Sequence, residues 1–498
     1  MYWCELLYPE RKRQQASVGK TVNDRRSPFK KDFDTICNSN ALRRLQDKAQ
    51  VFPLEEGDYT RTRLTHSIEV LSVVESLGIG LRDIVRDPLN SGYLCRGDVN
   101  QDVSLEEHIE NIPVILKCAA LLHDMGNPPF GHLTEQVISD WFKGNLSHYE
   151  YLEASGVYVY SENPRNNLWV DLSAIGEGDY LQDLLHFDGN AQLLRLVTKL
   201  NLVVDDNGMN LTYPVIASFI KYPCGSTSID KSQLAKKKAG YFVSERDIFE
   251  EIASKLGLGN SGCYHRHPLA FLLEAADDIA YLTADIEDAH HKGIVSVQDV
   301  ENYITEYDEG SDLVRKIQKE IKRYRVEAEE RKLPRADGYV MHRLRILLKG
   351  EMISAVESVL SDRYVDIMEG RCNEELLSVS KVAPIVKAIR KLEEDRIYYC
   401  RNIIESKTRA AVIVRKLLDS YVLAALNYQR DNDYNKDTSY NYIYESLSPN
   451  FRYVCERQLE SETDRRLVAY QKLRLVVDQI AGMTDSRALS DYKVLTAS

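Results

Sequence analysis

His66, His123, Asp124, His132, Glu135 and Asp277 have the types and spacing that metal-assisted hydrolysis requires. His123 and Asp124 are adjacent and close an apolar run, Val114 to Leu122. An ionised carboxylate is costly to bury there unless a cation compensates it. Neighbouring helical side chains diverge by about 100°. The breakers Gly126-Asn-Pro-Pro-Phe-Gly131 end the helix at once, so both groups can still reach one ion. His66 lies on an earlier helical stretch and Asp277 on a later one. Together they offer two imidazoles and two carboxylates, a mixed set that suits Mg²⁺, Mn²⁺, Fe or Zn and leaves positions open for water and phosphate. A bare His-Asp dipeptide is more simply explained by a core histidine and a helix-end aspartate. His132 follows the turn, and Glu135 stands three residues on, where a carboxylate fixes an imidazole's tautomer. A surface His-Glu pair has the same spacing.

A phosphate-bearing ligand also needs cations. Arg63 is three residues before His66 on the same helical face. Lys221-Tyr222 and the run Lys236-Lys-Lys238 are further candidates, although a lysine run also marks a solvated face. The elements that must position these groups read as helices. Residues 65–77 place Ile68, Leu71 and Val74 on one stripe, with Gly78 as a stop. Residues 113–124 open with Pro113, and another helix starts near Leu133. Further helices are expected at 188–203, 245–257, 268–290, 297–308, 311–332, 340–361, 376–392, 397–425 and 462–481. Residues 156–160 and 201–213 alternate and suggest a small hairpin. Looser stretches lie at 85–105, 223–241 and 429–441. The expected fold class is therefore mainly α.

Three blocks carry a family likeness. Arg61-Thr-Arg-Leu-Thr-His-Ser-Ile-Glu-Val70 resembles the first motif of the HD-domain deoxyguanosinetriphosphate triphosphohydrolases. Leu122-His-Asp-Met-Gly-Asn-Pro-Pro-Phe-Gly-His132 resembles the second nearly letter for letter, and Glu274-Ala-Ala-Asp-Asp-Ile-Ala-Tyr281, continuing to Asp288, resembles the third. Phe33-Asp-Thr-Ile36, Leu42 to Pro53 and Gly482-Met-Thr-Asp485 are similar to flanking stretches. The likeness runs from about residue 20 to about 493 and is weakest across 145–185 and 310–450.

The resemblance implies an HD-type helical core over 1–310, with insertions near 80–110 and 145–245. It implies a helical region over 311–498 that packs on the core and completes a nucleotide pocket. It implies one divalent metal, Mg²⁺ or Mn²⁺, on His66, His123, Asp124 and Asp277, with His132 and Glu135 catalytic. Asp277 is preferred to Asp278 because Asp277, Tyr281 and Asp285 fall at i, i+4 and i+8 on one face. Phosphate contacts are expected from Arg63, Lys221, Tyr222 and Lys238. Tyr281 is expected under the sugar with Asp285 beside it, and Gln50, rather than Gln46, at the sugar 3′-hydroxyl. Glu405 and residues near 448–455 fall where the base would be read. The implied reaction converts dGTP, alone or with other dNTPs, to deoxynucleoside and inorganic triphosphate. The implied partners are a homo-oligomer, often a hexamer, and single-stranded DNA as a regulator.

Composition narrows the alternatives. The 498 residues are 44% hydrophobic and 28% charged, so the chain reads as globular. No stretch approaches the ~20 apolar residues of a membrane helix, and the N-terminus carries no secretory pattern. Nine scattered Cys without CxxC spacing suit a reducing cytoplasm and argue against disulfides or a zinc ribbon. A net charge of −12 argues against a dedicated nucleic-acid-binding module. Among other HD phosphohydrolases, guanosine tetraphosphate hydrolases carry HDxxED, and the cyclic-dinucleotide group carries a Gly-Tyr-Pro element. Neither occurs here. A broad-specificity or DNA-regulated dNTP triphosphohydrolase shares every motif above.

Overall fold

A computed structural model describes residues 1–13, 24–54, 59–95, 103–202, 206–428 and 439–496. Helices dominate, and the strands among these residues form two short antiparallel ladders. In the larger, β1 (Tyr149–Leu152) pairs with β2 (Val157–Tyr160), Tyr149 opposite Tyr160. Gly259–Asn260 pairs with Cys263–Tyr264. No helix among the described residues is long and apolar enough to cross a membrane.

The helices that frame the site run in chain order as follows: α1 (Pro28–Cys37), α2 (Arg63–Arg86), α3 (Ile112–Leu122), α4 (His132–Asn145), α5 (Gly189–Arg195) and α6 (Tyr213–Phe219). They continue with α7 (Pro268–His291), α8 (Ala336–Met368), α9 (Ala383–Leu392), α10 (Arg401–Asn427), α11 (Arg465–Ala481) and α12 (Asp485–Thr496). α2 packs on α3, α7 and α8, and α6 packs on α3 and α7. α10 joins α4 to α11 and α12. α3 is buried on nearly every side from Ile115 to Leu122. Each fully buried Leu or Ile there contributes roughly 1.5–3 kcal/mol, which fixes the spacing of the helices around it.

α2 starts at a reciprocal cap between Thr62 and Thr65 and does not stop at Gly78 as expected. A Cβ on Gly78 would meet Leu116 Cδ1 at 2.9 Å and the Pro113 Cα at 3.1 Å. The glycine is therefore a close-approach point against α3, not a helix stop. The buried face of α2 is also different from that expected. Val70, Val73, Val74, Leu77 and Leu81 follow His66 at helical spacing and are buried, whereas Ile68 is exposed.

The expected hairpin partner for 156–160 is corrected. Its partner is 149–152, while Thr212-Tyr213-Pro214 opens α6, with proline in the first turn where it lacks no hydrogen bond. Residues 203–205 of the expected strand lie outside the described residues. The single helix expected at 376–392 is divided, because Pro384 is accepted only in a first turn; residues Leu376–Val379 form a separate short turn. Most of the loop expected at 429–441 lies outside the described residues, and its last residues belong to the helix Ser439–Glu445.

Candidate metal centre and substrate cleft

Three helices meet where the sequence places the His and Asp groups. His66 stands one turn into α2, His123 and Asp124 follow the last residue of α3, and Asp277 lies in mid-α7. The donor atoms of His66, His123 and Asp124 lie within 4.8 Å of one another. Asp277 Oδ1 is 3.0 Å from His66 Nε2 and 3.5 Å from His123 Nε2. The two imidazoles meet edge to face, with ring centres 5.5 Å apart.

The remaining bonds orient this cluster. His123 Nδ1–H donates to the Ala120 carbonyl at 2.7 Å, which turns Nε2 toward the carboxylates. Asp124 Oδ1 accepts from Arg63 Nη1 at 2.9 Å and from the Asn127 amide. Asp277 Oδ2 accepts from Lys221 Nζ at 2.6 Å. Burial opposes the charge on Asp124, but Arg63 and the imidazoles outweigh it and bring its pKa down to about 2. Burial likewise opposes the charge on Asp277, and Lys221 with His123 holds it well below the usual carboxylate range. His123 is shifted upward, because Asp124 and Asp277 outweigh its burial. The field that favours a proton there also favours a metal cation in its place.

The donor set fits a divalent ion. His123 Nε2 and Asp124 Oδ2 are buried and have no hydrogen-bond partner among the described residues, although both border the cluster. Buried polar atoms are normally satisfied, and a cation accepts their lone pairs at once.

A cleft of about 640 Å³ opens over this cluster. Gln50, Arg63, His132, Lys221, Tyr222, Lys238 and Tyr281 all line it, as do His123, Asp124 and Asp277. His66 forms the buried back of the cluster. His132 Nδ1 is 2.9 Å from Glu135 Oε2, and Glu135 Oε1 accepts from the Gly189 N–H at 2.9 Å. Burial opposes the Glu135 charge, but His132, Lys238 and Gly189 hold its pKa below the ordinary value. Lys238 Nζ is 2.9 Å from Asp188. Gly131 has φ of +70°, and a Cβ on it would stand 2.7 Å from Arg63 Nη2.

Asp285 does not line the cleft. It is buried beneath Tyr281, accepting from Tyr398 Oη at 3.4 Å, and burial raises its pKa well above the ordinary value. Arg63 lines the cleft, is largely buried and pairs with Asp124. Glu405 is also corrected. It lies on α10 at the surface, paired with Arg401 at 2.8 Å, outside the cleft. Its neighbour Lys407 lines the cleft instead, because two helical positions turn the side chain by about 200°. Of the residues near 448–455, Ser448 and Phe451 line a separate pocket of about 370 Å³.

Arg390, Tyr398 and Lys407 line the cleft and were not expected. Arg390 Nη2 donates to Asp278 at 2.8 Å, and the Tyr398 hydroxyl meets that of Tyr281. Nothing local separates Arg390 from Lys387 or Lys391 beside it; only the packing of α9 on α7 does.

Known proteins share this arrangement of sequence. The HD domain family matches residues 63–154, and the phosphohydrolase-associated domain matches residues 437–494. A deoxyguanosinetriphosphate triphosphohydrolase-like protein of Listeria monocytogenes is 34% identical over 99% of both chains. Another from Synechocystis is 31% identical over 99% of both. A deoxyguanosinetriphosphate triphosphohydrolase of Yersinia enterocolitica is 29% identical over 94% of both.

Proposed function

This chain belongs to the HD-domain deoxyguanosinetriphosphate triphosphohydrolase family, and on that footing we propose that it hydrolyses dGTP, alone or with other dNTPs, to deoxynucleoside and inorganic triphosphate. One cleft holds both the His/Asp cluster and the cations Lys221, Lys238, Arg390 and Lys407. This coincidence carries the proposal, because a chain of net charge −12 needs local cations to receive a polyanion.

His66, His123, Asp124 and Asp277 would hold a divalent ion, Mg²⁺ or Mn²⁺, which when bound polarises the α-phosphate and neutralises charge developing on it. Lys221, Lys238, Arg390 and Lys407 receive the phosphates, with Tyr222 along the same wall. Arg63 holds Asp124 in its ionised, oriented state. Tyr281, braced by Tyr398 and with Asp285 beneath it, supports the sugar and leaves no room for a 2′-hydroxyl. Gln50 reaches the 3′-hydroxyl. A water oxygen attacks the α-phosphorus, keeping one proton and releasing the other to solvent, and the bond from that phosphorus to the 5′-oxygen breaks. His132 gives the 5′-oxygen its proton, while Glu135 fixes the imidazole's tautomer and direction. The region 311–498 completes the pocket through Arg390, Tyr398 and Lys407. Assembly into a homo-oligomer and regulation by single-stranded DNA are supported by the family likeness alone.

The test is an assay of purified protein with Mg²⁺ or Mn²⁺ and each dNTP separately, quantifying triphosphate and nucleoside. Equal yields of both are expected, with dGTP turned over fastest. Monophosphate with pyrophosphate, or diphosphate with phosphate, would refute the reaction. The four relative rates set the breadth of specificity.

A further inference from the structure

The turn between α3 and α4 is strained. Phe130 has φ of +61° and Gly131 +70°. A bulky residue in the left-handed region is unfavourable and persists only where its surroundings impose it. Two buried side chains from outside the turn grip its backbone. Lys48 Nζ donates to the Asn127 carbonyl at 2.6 Å and to the Ala481 carbonyl at 2.8 Å. Asp485 Oδ1 accepts from the Phe130 N–H at 2.9 Å, and its Oδ2 accepts from the Ala49 N–H at 3.1 Å. The Lys48 carbonyl in turn accepts from the Arg63 N–H at 2.9 Å.

These bonds unite three distant stretches: the turn that leads into His132, the segment 48–50 that carries Gln50, and the junction of α11 with α12. Ala481 ends α11, so its carbonyl is one of the groups a helix leaves unsatisfied. A cation is favourable at that end. Lys48 is nonetheless an expensive choice for a packing residue. It is 2% exposed, and burial with nearby Arg63 brings its pKa down to about 7. A methionine would fill similar space without burying a charge.

We propose that Lys48 and Asp485 form a two-point clamp through which the phosphohydrolase-associated region, residues 437–494, sets the positions of His132 and Gln50. Both are positioning residues, since neither lines the cleft. The proposal gives that C-terminal region a role in turnover and rests on the triphosphohydrolase reading above. The metal cluster lies on α2, α7 and the end of α3, and none of its donor groups is a direct partner of Lys48 Nζ or of the Asp485 carboxylate.

The experiment compares wild type with Lys48→Met, Asp485→Asn and the double variant, all as the full chain with Mn²⁺. Each single variant is expected to lose at least tenfold in kcat while keeping its bound Mn²⁺. The double variant should be no worse than the poorer single, because both act on one unit. Wild type should prefer a deoxynucleoside triphosphate to its 3′-deoxy analogue through Gln50, and the variants should lose severalfold of that preference. Deuterium uptake should rise in the 126–134 segment and stay unchanged in α2 and α7. Wild-type kcat in both variants, or losses that track only the folded fraction with 3′-hydroxyl preference and 126–134 uptake unchanged, would overturn the clamp. Should Lys48→Met not fold, Asp485→Asn, which preserves volume and one acceptor, carries the same test. If wild type itself releases no triphosphate, the substrate reading falls, and uptake in the 126–134 segment still decides the clamp.

Discussion

His132 is three-quarters exposed while its partner Glu135 is nearly buried. A proton donor needs access to the substrate, and its orienting carboxylate needs fixed surroundings, which Gly189 and Lys238 supply here. His132→Ala is expected to lower kcat by about 10²–10⁴, the usual size of a general acid's contribution, while Mn²⁺ per chain and nucleotide affinity stay near wild type. Atomic absorption and initial rates on the same preparation check it, and wild-type turnover would remove His132 from the mechanism. At this scale much of the site was legible. His123 and Asp124 stand out because helix breakers follow a run that should have been wholly apolar. Asp277 was separable from Asp278 because a helix sends adjacent side chains in different directions, and Asp278 indeed turns to Arg390. Arg390, Tyr398 and Lys407 were not legible. They enter the cleft only through tertiary packing of α9 and α10, which no local pattern encodes. Glu405 was misplaced for the same reason, since the order of residues in a segment does not reveal which helical face meets a cleft.

At the scale of elements, α7 depends on an unusual cap. His267 Nδ1 accepts from the Leu269 N–H at 3.2 Å, and Nε2–H donates to the Leu6 carbonyl at 3.2 Å. The first of these bonds requires an unprotonated Nδ1, and burial lowers the imidazole's pKa from 6.5 to about 4. The unfolded chain therefore takes up this proton near pH 6.5, and the folded chain only near pH 4. Between those values the unfolded state holds more protons, so stability falls as pH drops through the window and levels off below it. The loss is at most roughly 3 kcal/mol. His267→Asn, which keeps a capping acceptor, should flatten that part of the stability–pH curve in denaturant titrations. An identical curve would show that the cap does not titrate. Long helices such as α7 were legible because an apolar stripe repeats over many turns. Short ones such as α1 and α6 offer too few turns for a period to emerge, and Gly78 shows that a residue's local preference yields when two backbones must touch.

At the scale of the whole molecule, the cluster ties together helices far apart in sequence. His66, His123, Asp124 and Asp277 gather two imidazoles and two carboxylates in one small space, where a cation is favourable. A ligand that binds only the folded state stabilises it by about 2.7 kcal/mol at a hundredfold excess over its Kd. The melting temperature should therefore rise with Mn²⁺ concentration and fall back with chelator, and Asp277→Asn should abolish the dependence. Calorimetry at several Mn²⁺ concentrations reads this directly; a metal-independent transition in wild type would exclude ion binding at these residues.

The contacts from Lys48 to Ala481 and from Ala49 to Asp485 span 433 and 436 positions of the chain. Translation delivers His66 and His123 early, at roughly 5–20 residues per second, and delivers Asp485 hundreds of residues later. A nascent polypeptide can thus assemble its ion-binding helices while the loop ahead of His132 is still ungripped. The loop ahead of His132 gains its Asp485 contact only once residue 485 has left the ribosome.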